Sequence, residues 1–395
     1  MLSRRRFLLR GLVGALGAIL AACAAVIESA APRSGSEPPR STATAPAATP
    51  NPSTSDAELR ARIAQMLLVG FRGLTVDEAG PTVRDIADRG LGGVLLFSVD
   101  QLTGADRNVR SPDQLRDLVA GLHAAARRVP LIVAIDQEGG QVARLGPRNG
   151  FPATPSAAAM GRGDPADTRS VAGAMAATLA EMGVTLNLAP VLDLAINPAN
   201  PVIAAVERSF SADPAVVTAH ATAFIEGHHE HSVRCSVKHF PGQGSATSDT
   251  HLGVVDVTDV WTDRELEPFA ALVGAGAADA VLTAHIFNAA LDPDHPATLS
   301  RATVTGILRD QLRFDGPVIS DDLQMGAIRD AYGYPEAVAL AIEAGVDLLL
   351  IANQLVYEPD LVADTIAIVE RLVRDGRISH ARIQEAVDRI SRLRG

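Results

Sequence analysis

Asp321 and Asp322 close an apolar run in Ile319-Ser320-Asp321-Asp322-Leu323-Gln324-Met325. A carboxylate held at a strand end can attack an electrophilic carbon such as an anomeric centre. Successive residues on a strand point to opposite sides. One of the two therefore faces a pocket, and the other suits a helix cap. Asp249 and His251 stand two apart in the loop Gly242–His251. A carboxylate beside an imidazole fixes its tautomer and raises its basicity, so such a pair can give and then take a proton. Just upstream is Lys238-His239-Phe240-Pro241-Gly242, and Lys238 is the single lysine in a chain of 35 basic residues. A lone lysine ending an apolar strand suits a compact donor to a hydroxyl or carboxylate. Asp136 opens Asp136-Gln137-Glu138-Gly139-Gly140, where a carboxylate can accept from hydroxyls and glycines permit close backbone approach. Arg208, in Glu207-Arg208-Ser209-Phe210, can donate a bidentate pair of hydrogen bonds. His285 ends a further apolar run.

Those residues need elements to hold them. Eight apolar runs qualify as strands: Met66–Phe71, Gly92–Phe97, Leu131–Asp136, Val184–Leu188, Val233–Phe240, Ala280–Ile286, Pro317–Asp321 and Asp347–Ala352. Helical periodicity lies between most of them, at Ser111–Arg128, Asp167–Met182, Pro214–Glu230, Asp263–Ala275, Arg301–Leu312 and Glu336–Ala344. Two more helices follow, at Asp360–Asp375 and Ser379–Leu393. Continuously apolar strands imply a parallel sheet covered on both faces. Eight strand–helix units over residues 56–395 predict an α/β fold, a single (β/α)8 TIM-type barrel. An open doubly wound sheet would carry a glycine-rich phosphate turn after its first strand. Phe71-Arg72-Gly73-Leu74 is not one. Asp136, Lys238, His239, His285 and Asp321 then fall at the C-terminal strand ends, the face where barrel enzymes build their sites.

The N-terminus is of another kind. Ser3-Arg4-Arg5 with Phe7-Leu8 fits a twin-arginine export signal. Gly11–Ala22 is apolar but too short to span a bilayer, which takes about 20 residues. Leu20-Ala21-Ala22-Cys23 resembles a bacterial lipobox, which implies cleavage before Cys23 and lipidation of that cysteine. Residues 24–55, rich in Ala, Pro, Ser and Thr, cannot bury a core and are expected to be a flexible tether. The expected organisation is signal peptide 1–23, linker 24–55 and catalytic barrel 56–395. Residues 1–23 hold four of the 35 basic residues and none of the 46 acidic ones. A cleaved chain is therefore strongly acidic, which argues against nucleic acid and anionic membrane surfaces as partners. Cys235 would be the sole cysteine besides Cys23, so no internal disulfide forms.

Other features carry less. His228-His229-Glu230-His231 has metal-like spacing, but it ends a helix just before the fifth strand, on the side opposite the site. It is expected to be a solvated helix end. Trp261 is the sole tryptophan, which disfavours an extended aromatic sugar platform and favours a small pocket acting at chain ends.

Six blocks in order resemble glycoside hydrolase family 3, in its single-domain β-N-acetylglucosaminidase branch: Asp136–Gly140, Asn197–Ile203 with Glu207–Phe210, Lys238–Gly242, Asp249–His251, Pro296–Ser300 and Ser320–Met325. The resemblance runs from about Asp56 to Gly395. It implies Asp321 as a nucleophile forming a covalent glycosyl-enzyme, and His251 as general acid/base held by Asp249. Asp136, Arg208, Lys238 and His239 match the family's sugar-binding positions, and His285 resembles a strand-end histidine of the same site. No metal or organic cofactor is implied. The expected substrate is a terminal β-linked N-acetylglucosamine on peptidoglycan-derived glycans, met by a protein lipid-anchored outside the cytoplasmic membrane. Three alternatives stay open: phosphate rather than water as acceptor, another β-glycoside specificity, and a non-catalytic lipoprotein that binds wall sugars. The chain departs from the family's usual pattern at Gln141, where Arg is usual, and at Gln243, where His is usual. The stretch Ile203–Glu207 is also about two residues longer than usual.

Overall fold

The structure is a computed structural model that describes residues 55–249 and 253–394. The expected signal peptide, Cys23, the linker up to residue 54, and His251 lie outside the described residues. Ser55 belongs to the folded unit: its hydroxyl accepts from the Glu58 N–H and caps the helix Asp56–Gln65.

Eight short parallel strands form the centre: β1 (Leu67–Gly70), β2 (Gly93–Leu96), β3 (Ile132–Ile135), β4 (Leu186–Asn187), β5 (Arg234–Phe240), β6 (Ala280–Thr283), β7 (Val318–Ile319) and β8 (Leu349–Ile351). They pair in chain order from β1 to β7, and β1 also pairs with β8. A parallel bridge between Ile319 and Leu348 joins the two remaining edges. The expected barrel is the one observed. Every residue of β1, β2 and β3 is buried, because the ladder is lined by side chains within and covered by helices without.

Three of the covering helices start with one device. Ser111-Pro112, Asp164-Pro165 and Asp213-Pro214 each place a capping side chain before a proline at the first helical position. The cap satisfies an orphan N–H, and proline spends a residue whose N–H would have had no partner. These helices are Pro112–Ala125, Pro165–Glu181 and Pro214–His229.

The sixth strand is shorter than its apolar run. Ala284 donates to the Phe240 carbonyl, and its own carbonyl accepts from Thr298, which ends the ladder. Ile286–Phe287 instead pairs with Val255–Asp256 in a separate two-stranded piece above the barrel mouth. A second addition, the hairpin of Gln137–Gly139 with Val142–Ala143, follows β3 directly. Both additions hang from the C-terminal strand ends, so they build on the site and leave the barrel unchanged.

Candidate active site

β3 ends at Ile135, and the next residue is Asp136. β5 itself carries Lys238 and His239, and β7 is followed by Ser320 and Asp321. Parallel strands leave the barrel in the same direction, so these side chains converge. Asp136, Lys238, His239 and Asp321 line a cavity of about 250 Å³ together with Arg144, Arg208, Gln243, Met325 and Leu355, among others. Pockets for drug-sized ligands start near ~300 Å³, so this one suits a single sugar ring.

A continuous ionic chain forms one wall. Lys238 Nζ donates to Asp136 Oδ1 and to Glu138 Oε1, each at 2.7 Å. Arg144 donates to Asp136 Oδ2 at 3.1 Å. The Arg208 fork grips Glu138 through Nε and Nη2, both at 2.7 Å. Arg208 Nη2 also reaches His239 Nε2 at 3.3 Å, and His239 Nδ1 meets Asp193 Oδ2 at 2.5 Å. These partners dictate the imidazole tautomer: Nδ1 carries the proton for Asp193, and Nε2 accepts from the guanidinium. Burial alone would raise the carboxyl groups, but Lys238 and Arg144 hold Asp136 well below the usual carboxylate range. Arg208 and Lys238 likewise outweigh burial and lower Glu138 to about 2. At neutral pH the wall therefore presents fixed acceptors beside fixed donors, ready for sugar hydroxyls.

The expectation for Arg208 needs correction. Its bidentate fork is spent on Glu138, and Nη1 donates to the Val202 carbonyl at 2.8 Å. Four of its five N–H groups thus point at protein, which leaves one Nη1–H for a ligand. His285 is also placed otherwise than expected. It is fully buried, with Nδ1 at 2.9 Å from Thr298 Oγ1 and Nε2 at 2.9 Å from the Asp322 carbonyl. Both ring nitrogens serve the protein, so it braces the segment that carries Asp321 and is absent from the cavity lining.

The two neighbouring aspartates divide their work. Asp322 is buried, and its Oδ1 accepts from the Ala352 N–H at 2.9 Å and the Gln324 N–H at 3.1 Å. Both aspartates line the cavity, but Asp321 is the half-buried one, with its Oδ1 accepting the Asp322 N–H at 2.8 Å. Asp249 is half-buried on the loop beyond Ser245.

The root of that loop is pinned by two buried carboxylates. Asp193 Oδ1 accepts the Gln243 N–H at 2.8 Å. Glu265 accepts the Gly244 N–H at 2.6 Å and the Ser245 hydroxyl at 2.5 Å. Burial, assisted by Asp193, pushes Glu265 up to about 7 against the pull of those hydrogen bonds.

Sequence reasoning gave no role to Glu138, Arg144, Asp193 or Glu265. Asp193 had a usable signal: an aspartate inside Val191-Leu192-Asp193-Leu194 must find a partner if buried. Arg144 had none, because the hairpin register decides where it points. Gln141, where the family usually has Arg, is exposed, and Arg144 brings a guanidinium to the cavity from three residues further on. The histidine run before β5 also differs from expectation. His228 is buried, stacked on Phe224 and hydrogen-bonded to Asn187 at 2.9 Å. Only His229 and His231 are exposed. Among the described residues no group of three or more His, Cys, Asp or Glu is arranged to hold a metal.

Known proteins share this architecture. The glycosyl hydrolase family 3 N terminal domain matches residues 58–393. A beta-hexosaminidase of Tolumonas auensis is 39% identical over 269 residues, 67% of this chain and 76% of that one. A solved beta-N-acetylhexosaminidase from Beutenbergia cavernae is 35% identical, with a TM-score of 0.75, over 85% of this chain and 98% of that one. A glycoside hydrolase family 3 beta-N-acetylglucosaminidase from Paenibacillus sp. is 35% identical with a TM-score of 0.77, over 85% of this chain but 62% of that longer one. On the barrel, the strand-end site and a match across nearly all the described residues, this chain belongs to glycosyl hydrolase family 3 and is a glycoside hydrolase.

Proposed function

We propose that the chain is a retaining exo-β-N-acetylhexosaminidase that releases terminal β-linked N-acetylglucosamine. The observation that carries this reading is Asp321, half-buried and lining one small cavity with Asp136, Lys238 and Arg208, which Glu138 ties together. The wall binds and orients the ring. Asp321 attacks the anomeric carbon as His251, held by Asp249, protonates the leaving oxygen. Water deprotonated by His251 then attacks the glycosyl-enzyme, which restores Asp321 and gives net retention. The names of the relatives support the acetamido-sugar specificity.

The setting is part of the proposal. Arg4-Arg5, the apolar run to Ala22, and Cys23 support export and lipid anchoring at the outer face of the cytoplasmic membrane, where peptidoglycan fragments are the available N-acetylglucosamine glycans. Acylation of Cys23, read by mass spectrometry and lost with Cys23→Ala, checks the anchor.

The test of the chemistry is p-nitrophenol release from the β-N-acetylglucosaminide by wild type and Asp321→Asn, with and without phosphate. Wild-type turnover that falls by several orders of magnitude in the variant is the expected result. Initial release of the β-anomer would establish retention. A sugar 1-phosphate product would make phosphate the acceptor, and turnover surviving in Asp321→Asn would remove Asp321 as nucleophile.

A further inference from the structure

Gln243 lies in the cavity lining with Asp136, Arg208, His239 and Asp321, yet the chemistry above gives it no part. Its main chain is held more firmly than a rim residue needs. The backbone N–H is fixed on Asp193 Oδ1 at 2.8 Å. Its carbonyl accepts from Asn200 Nδ2 at 2.7 Å and from the Ala246 N–H at 3.2 Å. The next N–H, of Gly244, is fixed on Glu265. Gly244 is itself wedged against the Leu194 backbone, where an added Cβ would fall 1.9 Å from a carbonyl oxygen. The main chain at Gln243 therefore has no room to carry the side chain elsewhere.

The residue is 3% exposed, and its Oε1 is buried without accepting a hydrogen bond from any described group. An unsatisfied buried carbonyl is costly, and native folds rarely keep one without use. The cavity lining holds two such buried atoms, the Gln243 Oε1 acceptor and the Arg144 Nε–H donor, and a ligand with complementary groups would supply their partners.

We propose that Gln243 is a specificity-determining residue: its carboxamide oxygen accepts a hydrogen bond from a donor, O–H or acetamido N–H, on the sugar ring in the cavity. The choice of sugar rests on the hydrolase reading above. The placement of the group does not.

The test compares wild type with Gln243→Leu and Gln243→Met, using p-nitrophenyl β-N-acetylglucosaminide, p-nitrophenyl β-glucoside, and calorimetric titration with free N-acetylglucosamine. A neutral hydrogen bond whose loss strands a buried sugar donor is worth about tenfold or more. Both variants should lose at least that in kcat/KM, chiefly through KM, and in affinity for the free sugar. Their thermal midpoints should hold or rise, since the free protein sheds an unpaired buried oxygen. A side chain that merely supported the fold would lower the midpoint and leave kcat/KM per folded molecule intact, which overturns the proposal. A loss confined to the N-acetylglucosaminide identifies the acetamido N–H as donor, and an equal loss on the glucoside identifies a hydroxyl. Absence of wild-type turnover overturns the hydrolase reading alone, because the titration still reads the contact. Equal titrations for wild type and both variants, null ones included, overturn the role of Gln243.

Discussion

The two ends of this barrel bury carboxylates among cations and put them to different uses. At the C-terminal end, Asp136 and Glu138 share Lys238, and Arg144 and Arg208 complete the pairing around a cavity. At the N-terminal end, just before β8, Asp347 is fully buried. It takes Arg309 at 2.6 Å, Arg382 at 2.8 Å, Arg389 at 3.4 Å and the Val318 N–H at 3.0 Å. Those arginines also bind backbone: Arg309 donates to the Phe314 carbonyl at 2.9 Å, and Arg382 to the Val346 carbonyl at 2.6 Å. One set of charges closes on the chain and ties the base of β7 and β8 to the C-terminal helix His380–Ser391. The other holds donors and acceptors at an opening. The same chemistry thus gives a structural lock at one end and a preorganised site at the other, the division expected for such barrels.

Lys238→Met tests the open end and should have the larger effect of the two ends on activity. It removes a donor to the sugar and leaves Asp136 and Glu138 with one cation each. A charge-assisted hydrogen bond is worth about 1.5–3 kcal/mol, so kcat/KM should fall by about 10- to 10²-fold. Steady-state kinetics on the aryl N-acetylglucosaminide reads this. A variant with near-wild-type kcat/KM would show that the ionic wall only braces the fold.

Asp347→Ala tests the closed end. It strands three arginines around a buried void. Breaking a buried ionic group by deleting one partner costs about 3–5 kcal/mol. Urea unfolding should show that loss, while kcat/KM per folded molecule stays at the wild-type value. A comparable fall in kcat/KM would mean that the two ends are coupled, and the division drawn above would fail.

The sequence discloses the open end better than the closed one, for a physical reason. Strand ends advertise themselves: Leu131–Ile135 is uniformly apolar and Asp136 is not, and the break marks both the ladder's end and the site's start. Lys238 stands out by its rarity. Asp321 and Asp322 were distinguishable only as a pair, because strand alternation requires one of them to face inward and leaves open which one. Glu138, Arg144 and the spent fork of Arg208 depend on how the Gln137–Ala143 hairpin folds over β3, with an irregular register that no periodicity encodes. Asp347, just before β8, lies far in sequence from Arg309 on one helix and from Arg382 and Arg389 on another, and charged residues near helix ends resemble solvated ones. His228 shows the same ambiguity. It adjoins exposed His229, yet it sits four residues after Phe224 and so shares that residue's buried face.

One buried group at each end should also answer pH with opposite signs, the smallest of the expected effects. His228, at the foot of β5, is lowered by burial to about 4 from 6.5. The fold favours its neutral form, so its contribution is complete above pH 6.5 and drains away as pH falls toward 4. Glu265, beside the loop at the head of β5, is raised by burial to about 7 from 4.5. The fold favours its protonated form, so its contribution is complete below pH 4.5 and drains away as pH rises to 7. A shift of that size corresponds to at most about 3–4 kcal/mol for each group, since one pKa unit is about 1.4 kcal/mol. Between pH 4.5 and 6.5 the slopes of these two groups oppose, so their contributions to the wild-type profile by urea unfolding largely offset one another. Glu265→Gln removes the falling slope, so its stability should rise with pH across that window. His228→Gln removes the rising slope, so its stability should fall. If both variants keep the wild-type profile, the two groups titrate alike in folded and unfolded chains, and neither burial is costing the fold anything that pH can recover.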